Sequence, residues 1–306
     1  MVRHLISLND LTDGDLVSIV AEGARFGTDP SYRPQGLDGL VAGIYFRKTS
    51  TRTRCAFSVG AIRLGAQIVS LGPDDLQTNT GETAADTGRV LSGMFDLLVA
   101  RTAADTDEMR LWSSQGRMAV VNAMSAQEHP TQALADLTTL HNHFGHIEGL
   151  NILYIGEGNS TAAALALALT RYPGLMLELR TPPGYGLSPA VRARAEAQAT
   201  RAGAVVIERH EMAELPNSVD VIYTTRWRTT GSVKSDSGWR EVFAPFQVNA
   251  RLWRDNPKAA FMHDLPAHRG EEVTSDVLDG TASIAFQQAE NKLYSAMAVL
   301  AWCRGG

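Results

Sequence analysis

The chain has 306 residues, 44% of them hydrophobic and 20% charged, and a formal net charge of -5. That length and composition fit a globular protein of two domains of about 150 residues each, and the acidic balance argues against a nucleic-acid partner, which normally meets a net basic surface. Two distant cysteines, Cys55 and Cys303, no apolar segment near Met1 and no run approaching the ~20 apolar residues of a membrane span point to a disulfide-free, cytoplasmic protein with no membrane role.

Short β-rich runs alternate with helical patterns along the chain. They fall at 43–46, 67–71, 97–100 and 118–122, then at 151–155, 176–179, 204–207, 219–223 and 260–262. This alternation predicts βαβ units and an α/β fold of two parallel-sheet domains. A helix over 131–144, stopped by Gly145, separates the two groups and is where the hinge is placed. Domains are expected over 1–135 and 136–284, with a closing helix in 285–306 returning to the first.

The stretch FRKTSTRTR, residues 46–54, sets Arg47, Lys48, Arg52 and Arg54 among Thr49, Ser50, Thr51 and Thr53. A strand ending at Phe46 and a helix opening near Ser50 would aim the amides of residues 51–53 at an anion. Ser50 is also a candidate N-cap. Arg52 and Arg54 alternate with hydroxyls, and a guanidinium fork suits a phosphoryl group. A solvated basic rim is the competing reading for Arg47, Lys48 and Arg54, and the preferred one for Lys48. Cys55 reads as small core packing rather than as a nucleophile.

STRTR at 50–54, HPTQALADL at 129–137, LPAHRGEEVTSDV at 265–277 and QAENKLYSAMAVL at 288–300 follow one another along nearly the whole chain. Together they resemble the aspartate and ornithine carbamoyltransferases, the ornithine branch most of all. The resemblance implies a carbamoyl-phosphate domain, then an amino-acid domain, and a homotrimer with active sites shared between subunits. It implies no cofactor and no metal. By matching motif positions, Ser50, Thr51, Arg52, Thr53 and Arg101 would bind phosphate, and His129 and Gln132 would hold the carbamoyl end. Asp264, Leu265 and Lys292 complete that set. Gln77, in a loop similar to the family's trans-acting loop, would reach a neighbouring subunit's site. Carbamoyl transfer builds charge on a carbonyl oxygen and on departing phosphate, so fixed donors supply catalysis. Arg52, Arg101, His129 and Gln132 are the catalytic candidates, with no covalent nucleophile needed.

The chain departs from the family on the acceptor side. An Asp-x-x-x-Ser-Met-Gly segment becomes Thr225 to Gly231, with Thr225, Thr229 and Thr230 at the altered places. His-Cys-Leu-Pro becomes HDLP, with Asp264 for the cysteine, Ser160 replaces an asparagine, and Lys292 an arginine. The expected acceptor set is Ser160, Thr225, Thr229, Thr230, Asp264 and Leu265. One carboxylate lost at 225 and another gained at 264 favour an acceptor other than ornithine, such as 2,3-diaminopropionate. The alternatives are ornithine itself, giving citrulline, and a non-catalytic relative that binds carbamoyl phosphate. Arg226 and Arg228 would meet an extra acidic group or, preferably, water. GEGNST at 156–161 has Thr161 where a dinucleotide fingerprint needs its third glycine, which disfavours a nucleotide. His141, His143 and His146 fit a solvated helix end better than a metal site. For His263 and His268, loop-structuring and substrate-facing roles both stay open.

Overall fold

The computed structural model describes residues 2–32, 36–228, 234 and 237–305. The chain divides into two compact units, Met1–His143 with Glu290–Gly306, and Phe144–Ala289. All nine expected strands are present, each end within two residues of the β-rich run that predicted it.

In the first unit β1 (Val41–Phe46), β2 (Gln67–Leu71), β3 (Leu97–Arg101) and β4 (Ala119–Met124) form a sheet in the order β2-β1-β3-β4, every pair parallel. β3, with the sequence LLVAR, is buried throughout, whereas the edge strand β2 is exposed or half-buried along its length. Inner strands of parallel sheets are covered on both faces and so carry unbroken apolar runs. The outer edge of β4 is met by the N-terminal segment, whose Leu5 N–H donates to the Val120 carbonyl at 2.9 Å.

Helices α1 (Asp13–Thr28), α2 (Arg52–Arg63), α3 (Ala84–Leu91), α4 (Asp107–Ser113) and α5 (Pro130–Phe144) follow. Thr12 and Asp15 form a reciprocal capping box that starts α1. Pro130 opens α5, where its fixed φ and missing N–H cost nothing.

In the second unit β5 (Asn151–Ile155), β6 (Met176–Arg180), β7 (Val205–Arg209), β8 (Val221–Thr224) and β9 (Ala260–His263) form a parallel sheet in the order β7-β6-β5-β8-β9. Its helices are α6 (Ser160–Leu169), α7 (Pro189–Ala202), α8 (Trp239–Phe243) and α9 (Ser275–Leu278). α6, STAAALALAL, is apolar around its circumference and every residue of it is buried, as a helix without a polar face must be. The last helix, α10 (Ala285–Cys303), meets α2 at Gly60, where even a Cβ would come within 3.2 Å of Met297 Cγ.

Candidate active site

In the first sheet the chain leaves β1 for β2 on one side and reaches β3 on the other. The carboxyl ends of β1 and β3 therefore diverge at a switch point, where open α/β sheets bind ligands. Phe46 pairs with Arg101 across these strands, and the Arg47 N–H donates to the Arg101 carbonyl at 2.9 Å. The loop 47–51 thus stands beside Arg101.

α2 begins at Arg52, and its N-cap is Thr51, not the expected Ser50. Thr51 already has helical φ and ψ, -88° and -63°, and makes no side-chain cap bond, because a capping hydroxyl needs extended backbone to turn back onto the helix. Arg47 belongs neither to an anion site nor to a solvated rim. Its Nη2 donates to both Glu108 carboxylate oxygens, at 2.8 and 3.0 Å, and its Nε to the Tyr45 hydroxyl at 2.9 Å. Lys48 is exposed, and the Arg54 guanidinium lies 5.7 Å from the Phe46 ring centre. Cys55 is exposed instead of buried, because α2 turns Thr53, Ala56, Phe57, Gly60 and Ala61 inward and leaves position 55 on the opposite side.

A cavity in this unit is lined by Thr53, Ala56 and Phe57 of α2, by His129, Thr131 and Gln132 at the start of α5, and by Lys292 and Ala296 of α10. Four of the expected site residues, Thr53, His129, Gln132 and Lys292, therefore meet around one space. Gln132 Nε2 donates to Asp136 Oδ1 at 2.8 Å. A carboxylate only accepts, so the amide nitrogen faces Asp136 and the amide oxygen is turned away as an acceptor. His129 is buried, with Thr131 Oγ1 3.3 Å from its Nδ1. Just before it, Glu128 accepts from Ser7 Oγ at 2.6 Å and from the Leu8 N–H at 2.7 Å, anchoring the turn that carries the histidine.

Burial, then the charges of Arg101 and Lys292, hold the His129 pKa well below its ordinary 6.5. The neutral ring offers an N–H donor and adds no third cation. Below pH 6.5 the unfolded chain protonates this histidine and the folded protein does not, so folding stability falls as pH drops from 6.5 toward the depressed native value. His129→Gln should therefore lose less melting temperature than the wild type between about pH 7 and about pH 5. Parallel losses in the two proteins would refute the buried neutral ring.

In the second unit the switch point lies between β5 and β8. Ile155, Thr224 and His263 stand in register, so Gly156, Thr225 and Asp264 leave the sheet side by side. Asp264 Oδ1 accepts from Thr225 Oγ1 at 2.9 Å, and Oδ2 from Thr161 Oγ1 at 3.0 Å. Positions 225 and 264 are thus direct partners. Asn159 caps α6 by accepting from the Thr161 and Ala162 N–H groups, and Ser160 is buried at the first helical position. Thr229 and Thr230 lie outside the described residues. Arg228 is exposed and Arg226 half-buried, while Trp227 between them packs against Trp239 and Phe243.

Several residues here escaped the sequence reading. In the sequence Thr161 marks only the place where a third glycine is absent. Tyr154 donates to the Glu157 carbonyl at 2.6 Å, and burial, then Asp264 and Glu157, push its phenol pKa well up. Lys234 pairs with Glu157 and sits 4.4 Å from the Tyr185 ring centre. Gln77 is exposed on the short turn Gln77–Thr80, where its Oε1 accepts from Thr80 Oγ1 at 2.8 Å, and it is not among the cavity residues. Among the described residues His268, Glu271 and Glu272 bring ligand atoms within 4.8 Å of one another. Glu272 Oε1, however, is already engaged by the His268 N–H and lies 3.2 Å from His263 Nε2.

Residues 3–142 match the carbamoyl-P binding domain model of the aspartate/ornithine carbamoyltransferases, and residues 148–303 match the Asp/Orn binding domain model. The chain belongs to the aspartate/ornithine carbamoyltransferase family. The ornithine carbamoyltransferase of Thermococcus kodakarensis is 39% identical over 99% of this chain and 97% of its own length. The solved ornithine carbamoyltransferase of Pyrococcus furiosus superposes with a TM-score of 0.92 at 37% identity, covering 99% of this chain and 97% of that one. The Gloeobacter violaceus structure gives 0.87 at 35%, covering 99% and 100%. The protein is a carbamoyltransferase with the two-domain α/β fold of the ornithine branch. No helix among the described residues is long and apolar enough to cross a membrane.

Proposed function

We propose that this carbamoyltransferase moves the carbamoyl group of carbamoyl phosphate to the side-chain amine of ornithine, giving citrulline and phosphate. The observation that carries the donor half is the cavity where Thr53, His129, Gln132 and Lys292 converge, with His129 held neutral by burial and by Arg101 and Lys292. Arg52, Arg101 and the hydroxyls of Ser50, Thr51 and Thr53 hold the phosphate. His129 donates to the carbonyl oxygen, and the Gln132 amide oxygen accepts from the carbamoyl NH2. The amine attacks the carbamoyl carbon, the bond to the phosphate oxygen breaks, and phosphate leaves with the electron pair and takes the amine's proton. Donors fixed toward both oxygens stabilise this charge without reorganising. Asp264, Leu265, Thr225 and Ser160 receive the acceptor.

Ornithine rests on the names of the similar proteins, and it takes precedence over the shorter diamino acid expected from the motifs. One observation favours a second reading. Asp264 is clamped by the two threonine hydroxyls into a fixed anion, suited to a second ammonium brought close by a short side chain. Rates with ornithine, 2,3-diaminopropionate, putrescine and aspartate decide between them, and best turnover with anything but ornithine sinks the first reading. Asp264→Asn should raise the acceptor KM about 10-fold or more, since a bond to a charged group contributes ~1.5–3 kcal/mol.

The working form is a homotrimer in which Gln77 serves a neighbouring subunit. Val59 and Ile62 on α2, 39% and 57% exposed, share a helix face with the exposed Cys55, and Val69 on the edge strand is 42% exposed. An uncovered apolar stripe of this kind suits a subunit interface. Mixing Gln77→Ala with Arg52→Ala should restore activity on subunit exchange, because one mixed site then carries both native residues. Exchange confirmed by mass spectrometry without recovery would show that Gln77 acts in its own subunit or not at all.

A further inference from the structure

The turn after β9 holds Asp264 in place by means that its own hydrogen bonds do not explain. Leu265 sits at φ +51°, a left-handed conformation that a branched side chain adopts only where its surroundings over-determine it. Its N–H donates to His263 Nδ1 at 2.8 Å. A backbone N–H can only donate, so Nδ1 is bare and the ring proton belongs on Nε2. That nitrogen faces Glu272 Oε1 at 3.2 Å, and the same oxygen accepts from the His268 N–H. His263 and Glu272 are both wholly buried. The His263 N–H donates to Gln288 Oε1 at 2.8 Å, and Gln288 Nε2 to the Tyr223 hydroxyl at 3.2 Å, so the strand end itself is also fixed. Asp264 Oδ1 lies 3.5 Å from His263 Nδ1, with no proton to share, and takes its bonds from Thr225 and Thr161 instead.

We propose that Glu272 and His263 are positioning residues for the acceptor: buried Glu272 selects the His263 tautomer whose bare Nδ1 holds the Leu265 N–H, and so keeps Asp264 aimed at the substrate. A carboxylate suits this task better than an amide. It accepts only, and one oxygen, Oε1, takes both the His268 N–H and the Nε2 proton, so the site admits a single tautomer. The histidine acts through the turn and touches no substrate. This inference rests on the reading that the 264–265 turn receives the acceptor.

The test combines acceptor kinetics with histidine-selective 15N spectra of the whole protein. His263→Leu removes the acceptor for the Leu265 N–H while keeping bulk, and should raise the acceptor KM about tenfold, the effect of losing one hydrogen bond of typical strength. The KM for carbamoyl phosphate, which Thr53, His129, Gln132 and Lys292 also hold, should rise less. His263→Asn, whose Oδ1 can stand where Nδ1 stood, should restore most of the loss. The wild-type spectrum should show His263 protonated on Nε2 with Nδ1 bare, and Glu272→Leu, which leaves the Nε2 proton without its acceptor, should mix the tautomers and raise the acceptor KM. If His263→Leu does not fold, the Glu272→Leu spectrum decides, and an unchanged tautomer with an unchanged acceptor KM overturns the proposal. So does His263→Asn no better than His263→Leu. If Asp264→Asn leaves the acceptor KM unchanged, the acceptor reading fails and the proposal with it. If Asp264→Asn raises that KM and His263→Leu does not, the relay alone is wrong.

Discussion

Arg52→Ala should lower kcat by roughly 10²–10³, the usual loss when one fixed donor to a developing oxyanion is removed. Arg52 is half-buried at the first position of α2, beside the carboxyl ends of β1 and β3, and not among that helix's buried residues. On the proposed reading its removal deletes charge where phosphate develops it, and it takes little from the core. The melting temperature of the free protein should therefore move by no more than about 2 °C. Stabilisation by added phosphate should fall sharply, since a ligand at about 100 times its Kd contributes ~2.7 kcal/mol to the native state and weaker binding removes it. A variant that keeps more than about a tenth of the wild-type rate at saturating carbamoyl phosphate would contradict the assignment of the 50–54 loop.

The second large effect concerns backbone shape. Gly158 lies where the loop after β5 passes the 182–187 turn, and its N–H donates to the Tyr185 carbonyl at 2.7 Å. A Cβ at this position would come within 2.3 Å of Gly186 C and 2.4 Å of Leu187 N. Both are main-chain atoms, so no side chain can rotate away. Gly158→Ala should cost about 1–3 kcal/mol as overpacking, with up to ~1 kcal/mol more if the shift pulls Asn159 from its cap on α6. The same displacement would move Thr161 away from Asp264. The expected result is a lower urea midpoint and a raised acceptor KM, with carbamoyl-phosphate KM unaffected. An unchanged midpoint would mean that the two loops have slack that the 2.7 Å bond denies.

The nine strands were legible because each is a short apolar run between helical patterns, and parallel sheets bury such runs whole. The turn from β1 into α2 was legible because an apolar run ends at Phe46 and polar residues suited to a helix start follow it. The contacts that shape the site were not. Arg47 looked like a loop cation, but its partner Glu108 is 61 positions away, and only the fold brings them together. Cys55 resembled a core residue because free cysteine usually is one, while its exposure depends on which face α2 presents to β1 and β2. Thr161 and Asp264 are 103 positions apart, and they meet because β5, β8 and β9 end at one level. Strand order was not readable from the sequence, so neither were these partners.

The bond between Thr225 and Asp264 also constrains substitution. The side chains stand 2.9 Å apart, so neither can be exchanged without regard to the other. Thr225→Asp made first would set two carboxylates at hydrogen-bond distance, where one must keep its proton. Asp264→Cys made first would leave two mostly buried hydroxyls, of Thr161 and Thr225, with only a weak sulfur acceptor, a loss of hydrogen bonds rather than a clash of charges. Exchanging this pair for an aspartate at 225 and a cysteine at 264 thus has a preferred first step, and the two positions change as a coupled pair rather than one residue at a time.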